Sequence, residues 1–346
     1  EIDLYKHYAG KWKFNTIFFG GGTPSLLPAK YLEKILQKLH DIFDTSNVEE
    51  ITLEANPGEA PLEYLKDIRK LGINRLSMGF QSFDNKLLEM LGRLHRSEDC
   101  FTTYNNARKA GFDNINTDMI FNIPDLSVEN WKKNLKKLIE IEPEHISAYS
   151  LTVEPSTKLF NLVKNKKVLM PLKKIDIEQF LLTERILSKH GYNHYEISNY
   201  AKKGKSCKHN LHYWNQSPYL SFGPSGHSYD LKKRWWNVKS LEQYINFLHM
   251  NTLPLENNEI VRDINKCKHI LHINCADKWF EENITCPICR QDIRSEINRD
   301  NLNEAIKKLK KIKIGSELEQ DQINVLYGDI YLKINKPQKA EEFYEK

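Results

Sequence analysis

The sequence lacks the features of a membrane or secreted protein. None of its apolar runs is long enough to cross a bilayer, and no charged segment followed by an apolar one opens the chain. It also lacks a dominant charge, because 51 Lys and Arg residues oppose 46 Asp and Glu residues among 346. Its short Lys clusters are typical of solvated surfaces. These absences predict a soluble, cytoplasmic, globular protein with no membrane span and no nucleic-acid partner.

Cysteine is scarce, and a disulfide framework is not expected in a Lys-rich chain without a secretory signal. Of six cysteines, Cys100 and Cys207 are isolated, whereas the other four lie between residues 267 and 289. That grouping favours a metal site within the span. The chain opens at Glu1 inside a helical pattern, without a methionine, so we expect a fragment of a longer protein.

Short apolar runs alternate with amphipathic segments between about residues 16 and 153. The runs are TIFF, ITLEANP, RLSMGFQS, INTDMIFNIP and HISAYSLTV. Strands that alternate with helices of about 10–15 residues indicate βα units and a parallel sheet. Past Glu259 the sequence becomes rich in Cys and His, and then in Lys and Glu. These changes predict three parts, residues 1–258, 262–294 and 300–346.

Glycines or polar residues stand where the five predicted strands end: Gly20 to Thr23, Glu54, Gln81, Asp118 and Thr152. The C-terminal ends of parallel strands share the edge of a sheet at which ligands bind. Consecutive glycines let backbone N–H groups approach a polar ligand closely. The glycine run alone is equally consistent with an ordinary turn. The converging carboxyl and amide groups favour a ligand with ammonium and hydroxyl groups over a polyphosphate.

The motifs GGGTPS, EANPGE, LSMGFQSFDNKLLEMLGRLH, NTDMIFNIP and YEISNYA follow one another between residue 1 and about residue 255. In this order they resemble the oxygen-independent coproporphyrinogen III oxidase and heme chaperone family of radical SAM proteins. The resemblance implies an α/β fold, a partial (βα)6 barrel that lacks its first strand here. It also implies that S-adenosylmethionine (SAM) is bound by Gly21, Gly22, Thr23, Glu54, Gln81, Arg93 and Asp118.

The sequence departs from this family most clearly in its cysteines. The CxxxCxxC motif that holds the family's [4Fe-4S] cluster does not occur in it, and two isolated cysteines cannot supply three thiolates at that spacing. We therefore expect no radical chemistry from the chain as printed and assign no catalytic residue. Smaller departures are Asn122 and Asp125, where the family usually has glycines, and SGHSY in place of GAHSY.

The segment HNLHYW, His209 to Trp214, resembles the heme chaperone branch of the family more than the oxidase branch, as do FGPSGHSYD and RWWN after it. Imidazole is a common axial ligand of heme iron, and neighbouring aromatic rings suit a porphyrin face. His209 is therefore a candidate heme ligand, and heme or a porphyrin is the expected partner. A packed or surface histidine is an equal alternative.

The span KCKHILHINCADKWFEENITCPICRQDI resembles a RING finger of the H2 subtype without its first CxxC pair. The interleaved ligation of RING fingers implies one complete zinc site. At the second site we expect residues without a bound metal. Intact RINGs bind ubiquitin-conjugating enzymes, so the alternative function is a zinc-dependent interaction or ubiquitin-ligase-like module. The complete site would use Cys267, His269, Cys286 and Cys289, and the second would have His272 and Cys275.

The last part of the chain, residues 300–346, has a helical pattern. Gly328, Tyr331, Ala340 and Tyr344 occur at spacings that resemble a tetratricopeptide repeat, which predicts a helical hairpin and a protein partner. An ordinary amphipathic hairpin is the alternative. Three incomplete signatures in one chain predict a composite protein. Its largest part would be a heme-chaperone-like or coproporphyrinogen-oxidase-like radical SAM protein of tetrapyrrole metabolism.

The ligand pattern predicts about one zinc ion per chain, because one tetrahedral set is complete and the other has two ligands. Metal analysis of the purified chain measures this number. Cys286→Ser is expected to abolish zinc binding, and Cys275→Ser to leave it nearly unchanged. Two tightly held zinc ions would contradict the assignment.

Overall fold

The computed structural model describes residues 1–155, 157–264 and 269–272, with the backbone alone for 257–264 and 269–272. The chain divides into two compact units, Glu1–Asn215 and Gln216–Lys346. The tail predicted to be helical and the four clustered cysteines lie outside the described residues, as do the side chains of His269 and His272. The three predicted parts and the zinc ligands therefore stay predictions.

A mostly parallel sheet forms the centre of the first unit. Among its described residues, seven strands lie in the order β1-β2-β3-β4-β5-β7-β6, and the first five are parallel. β7 runs antiparallel to β5 and to β6. The five predicted strands are confirmed. The strands are β1 Thr16–Phe19, β2 Glu50–Ala55, β3 Arg75–Gln81, β4 Ile115–Phe121, β5 His145–Ser150, β6 Asn193–His194 and β7 Asn199–Ala201.

Amphipathic helices follow the parallel strands, as the βα pattern predicts. Ser127 shows how one begins: its side chain accepts the Asn130 N–H and caps the start of α5. The N-terminal segment differs from the predicted helix, because Ile2–Lys11 is a 3₁₀ helix. The helices of this unit are α1 Ala29–Ile42, α2 Leu62–Lys70, α3 Asn85–Met90, α4 Ser97–Lys109, α5 Val128–Glu140, α6 Lys158–Lys164, α7 Lys173–Lys189 and α8 Lys208–Trp214.

The two faces of the sheet differ in polarity, because successive residues of a strand point to opposite faces. Along β3, Leu76, Met78 and Phe80 are fully buried in the hydrophobic core, together with helix residues such as Leu65 and Trp131. The residues between them in β3 are polar or glycine. We call the opposite side of the sheet the polar face; it carries Glu50, Thr52, Glu54, Arg75, Ser77, Asn116, Asp118, His145 and Ser147.

Parallel register aligns the polar face into rows. Glu54 of β2 is paired with Ser77, Ser77 with Asn116, and Asn116 with His145 of β5. Paired residues of adjacent strands lie on the same face, so their side chains are neighbours. One further row toward the C-terminal ends, Asp118 lies opposite Gly79. The strand register thus brings together side chains that are far apart in sequence.

Three departures from the usual family residues have a backbone explanation. Asn122, Asp125 and Ser225 adopt φ values of 58°, 65° and 58°, in the left-handed region that favours glycine. Asn and Asp are the side chains best tolerated there. The two that follow β4 therefore retain a glycine-like turn without glycine.

The second unit contains an antiparallel sheet. Its described strands have the order β11-β10-β9-β8, and helix α9, Leu241–His249, begins after the capping residue Ser240. These strands are β8 His227–Tyr229, β9 Lys233–Asn237, β10 Leu255–Ile264 and β11 His269–His272. Among the helices that the structure describes, none combines the length and apolar character needed to cross a membrane.

Candidate functional site

A pocket lies at the C-terminal ends of the parallel strands. Its volume of about 190 Å³ is several times the roughly 30 Å³ that one water molecule takes in the liquid, so a polar small molecule can enter it. The structure brings into this pocket all seven residues that the resemblance implies for SAM. They are Gly21, Gly22, Thr23, Glu54, Gln81, Arg93 and Asp118.

The glycine run forms one wall of the pocket and leaves the backbone open. Gly21 has φ +111°, which L side chains rarely adopt, and its N–H donates to a Glu54 carboxylate oxygen at 3.1 Å. A Cβ atom on Gly20 would lie 3.2 Å from Glu54 Oε1. Glycine at these two positions therefore allows the corner after β1 to approach the end of β2.

Asn56 connects two walls of the pocket, and our sequence analysis missed it. Its amide nitrogen lies 3.3 Å from the Thr23 hydroxyl and 3.0 Å from Glu59, to both of which it donates. Its carbonyl oxygen accepts from Arg93 Nη1 at 3.4 Å. The position of Asn56 in EANPGE, two residues after Glu54, was the available signal. The contact with Arg93 is visible only in the tertiary structure.

Gln81 lies in the pocket in an unusual backbone conformation. It is buried, has φ 64°, and follows a register shift between β3 and β4. A Cβ atom on Gly79 would lie 2.8 Å from its side-chain nitrogen, so a larger residue there would displace the Gln81 amide. Non-glycine residues in the left-handed region cost about 1–3 kcal/mol and are concentrated at functional sites. The conformation of Gln81 is therefore consistent with a binding role.

The pocket combines two carboxyl groups with one guanidinium. Burial, and secondarily the charge of Asp118, raise the pKa of Glu54 to about 7, although the Gly21 N–H opposes this shift. Burial also raises the pKa of Asp118 and lowers that of Arg93. An ammonium group near the carboxyl groups and a carboxylate near Arg93 would each offset a charge that burial disfavours. The site is therefore suited to a zwitterion.

A hydrogen-bond network extends from Asp118 across the polar face. Asn116 donates to Asp118 at 2.8 Å and to Ser77 at 2.7 Å, and its carbonyl oxygen contacts His145 Nδ1 at 2.6 Å. His145 Nε2 lies 2.7 Å from the Tyr195 hydroxyl. Burial, with a smaller effect from a neighbouring charge, lowers the pKa of His145 well below its usual value. A neutral His145 therefore links the pocket to the segment before α8.

His209 lies outside the pocket, near the N-terminal ends of the strands. Its ring nitrogen Nδ1 is 2.9 Å from the hydroxyl of Thr16, which begins β1, and its backbone N–H donates to Glu50 at 3.0 Å. The ring stacks on Phe18 with centroids 5.0 Å apart. Burial, with smaller contributions from His212 and Arg75, lowers the pKa of His209 to about 4. Its imidazole is therefore neutral at pH 7, the form that binds metals.

The described residues do not fit an iron–sulfur cluster. Within this part of the chain, no group of three or more His, Cys, Asp and Glu residues could hold a metal ion. Cys100 and Cys207 are both buried free thiols. The pKa of Cys100 is raised to about 12 and that of Cys207 to about 11, and burial is the main cause of both shifts. Neither cysteine presents a thiolate at neutral pH.

Comparisons with known proteins agree with this geometry. The profile of the Radical SAM superfamily matches residues 2–138, and that of the Ring finger domain matches residues 252–290. The structure of coproporphyrinogen III oxidase (HemN) from Escherichia coli has a TM-score of 0.64 and 22% identity, covering 76% of this chain and 64% of that one. The sheet and helices therefore form an α/β fold of the radical SAM type.

Curated relatives define the family more narrowly. The heme chaperone HemW of Bacillus subtilis is 36% identical over 246 residues, which cover 71% of this chain and 65% of that protein. HemW of Buchnera aphidicola is 30% identical over 306 residues, 86% of this chain and 76% of that protein. The chain belongs to the heme chaperone family of radical SAM proteins. It spans just under two thirds of the length of the Bacillus relative.

The raised pKa of Glu54 predicts a pH-dependent effect of Glu54→Gln on stability. Because folding raises this pKa from 4.5 to about 7, the folded state is favoured below pH 4.5, and that stabilisation is lost as pH rises through about 7. We expect Glu54→Gln to stabilise the chain at pH 8 by about 1–2 kcal/mol, discounted for partial exposure, and by less at pH 5. Thermal unfolding at both pH values measures this difference.

Glu89→Gln is the matched control, because Glu89 is an exposed carboxyl group on α3. It is expected to leave the melting temperature almost unchanged at both pH values. A Glu54→Gln variant that is less stable than the unsubstituted chain at pH 8 would contradict the analysis of Glu54.

Proposed function

We propose that this chain is the SAM- and heme-binding part of a cytoplasmic, heme-chaperone-like radical SAM protein of tetrapyrrole metabolism. The observation that supports this function best is the meeting of seven family-matched residues in one pocket. On this proposal the parallel strands are the remainder of a (βα)6 barrel, within a first domain of residues 1–258. The relatives' printed name, heme chaperone, extends the proposal from SAM to heme.

The pocket can accommodate the methionyl end and the ribose of SAM. Backbone carbonyl groups of the glycine run and Glu54 would receive the ammonium group, and Arg93 would bind the carboxylate. Asp118, held by Ser77 at 3.2 Å, would accept from the ribose hydroxyls. In the family a [4Fe-4S] cluster supplies the electron for radical chemistry. Because the described residues do not fit that cluster, we assign binding of SAM to this chain and no radical step.

SAM is expected to bind weakly, with a dissociation constant in the millimolar range, or about −4 kcal/mol, because the cluster normally adds coordination. Arg93→Ala removes the partner of the carboxylate and should weaken binding about tenfold or more. Arg185→Ala, an exposed position on α7, is the matched control and should leave binding unchanged. Ligand-observed NMR titration measures the affinity of the unsubstituted chain and of both variants for SAM. Micromolar affinity, or 5′-deoxyadenosine formed with a reductant, would contradict the proposal.

Heme binding is the second part of the proposed function. His209 is a neutral imidazole fixed by the sheet, and Tyr213 and Trp214 on the same helix are 48% and 45% exposed. Aromatic surface beside an iron ligand suits the flat porphyrin ring. Heme would then bind near the N-terminal ends of the strands and SAM near their C-terminal ends.

Heme binding should depend on His209. We expect His209→Ala to abolish the Soret band of the histidine-bound heme, because the variant lacks the axial nitrogen. His190→Ala is the control, since His190 is an exposed histidine after α7. Absorbance titration of each variant with hemin measures the difference. Equal binding by both variants would contradict the assignment of His209.

A zinc-binding interaction module is the second candidate function, because the Ring finger domain profile matches residues 252–290. On this proposal the partial RING segment, 262–294, binds zinc, and together with the repeat-like tail, 300–346, it contacts protein partners. The iron and zinc contents of the purified chain distinguish the two candidates. Zinc without bound heme would favour the interaction module, and heme without zinc would favour the first proposal.

A further inference from the structure

The imidazole of His209 is attached to the sheet through both its backbone and its ring. Glu50, which is 4% exposed, accepts the N–H groups of Lys208 and His209 at 3.1 and 3.0 Å. Thr16 is paired with Glu50 in the register of β1 and β2, and its hydroxyl lies 2.9 Å from His209 Nδ1. Phe18 supports one face of the ring. These contacts leave the imidazole little freedom to rotate.

The two ring nitrogens of His209 have different surroundings. Nδ1 faces the hydroxyl of Thr16, which is 8% exposed, whereas Nε2 approaches the hydroxyl of the half-exposed Tyr213 at 3.3 Å. A neutral imidazole carries one N–H, and the nitrogen that binds iron must present its lone pair. Metal-bound histidines usually donate their other N–H to a fixed acceptor. The Thr16 hydroxyl is in the position of that acceptor.

We propose that Thr16 is a positioning residue for His209: its hydroxyl accepts the Nδ1–H and leaves Nε2 as the nitrogen presented to heme iron. Thr16 acts through the imidazole and not by contact with the porphyrin. The inference rests on the proposed heme binding and adds to it a defined tautomer and a defined ligating atom. No contact of His209 with the SAM pocket is required.

Thr16→Val tests this role with a small change of shape. Valine retains the branched side chain of threonine and removes the hydroxyl that lies 2.9 Å from Nδ1. Thr52→Val is a closely matched control. Thr52 is likewise a buried threonine, in the adjacent strand, and its hydroxyl has no hydrogen-bond partner among the described residues. The two variants therefore lose the same atom type from neighbouring strands, but only one of them loses a contact with His209.

Two measurements on the full chain separate the tautomer from the binding of heme. Nitrogen-15 NMR of the histidine rings, without heme, reports which nitrogen of His209 carries the proton. We expect Nδ1–H in the unsubstituted chain and in Thr52→Val, and a mixture of tautomers in Thr16→Val. Hemin titration should then show about a tenfold loss of affinity in Thr16→Val, the usual effect of removing an outer-shell partner of a metal ligand, and no loss in Thr52→Val.

The proposal is overturned if Thr16→Val has the same ring-nitrogen shifts and hemin affinity as the unsubstituted chain. It is also overturned if Thr52→Val loses as much affinity as Thr16→Val, because the effect would then belong to the sheet in general. Should Thr16→Val not fold, Thr16→Ser decides the question: it retains the hydroxyl and must retain both the tautomer and the affinity. If His209→Ala binds hemin as tightly as the unsubstituted chain, the heme assignment fails, and the NMR comparison still decides the contact with Thr16.

Discussion

Polar side chains that are buried on one face of a sheet are stabilised by hydrogen bonds to one another, and the first unit of this protein depends on such a network. An unpaired buried donor or acceptor costs about 1–3 kcal/mol, and the polar groups around Asn116 avoid that cost, whereas the Thr52 hydroxyl on the same face has no partner among the described residues. Asn116 is at the centre of this network, with contacts to Ser77, Asp118, His145 and Ser147. The apolar residues of the same strands supply the core beneath the helices.

The network gives the two candidate binding regions a common framework. Toward the C-terminal ends of the strands it holds Asp118 in the pocket. Through His145 and Tyr195 it reaches the Cys207 N–H, immediately before α8. Arg75 lies within this face, 1% exposed, and its charge adds to the effect of burial in lowering the pKa of His145 and of His209. A single polar face therefore positions a charged pocket at one end and a neutral imidazole at the other.

The pocket and the cysteines of this chain differ in how well they match the family. The pocket retains the full set of residues that the resemblance implies, including the strained Gln81. The described cysteines are instead buried structural thiols; Cys207, for example, contacts Glu50 at 3.5 Å. The described residues therefore form the pocket without supplying ligands for the cluster.

The sequence by itself determined the alternation of strands and helices, since a period of two in the strands and amphipathic segments between them are local properties. It also indicated the ends of β1 and β2, which lie beside Gly21 and Glu54, but Asp118, predicted at a strand end, lies in the middle of β4. The tertiary structure alone decided three features. They are the contact of Asn56 with Arg93, the row from Glu54 to His145 and the contact of Thr16 with His209. The hydrogen bonds of Asn56 with Arg93, Asn116 with His145 and Thr16 with His209 join residues 37, 29 and 193 positions apart. Only strand register and the packing of α8 set such distances, and no local pattern in the sequence encodes them.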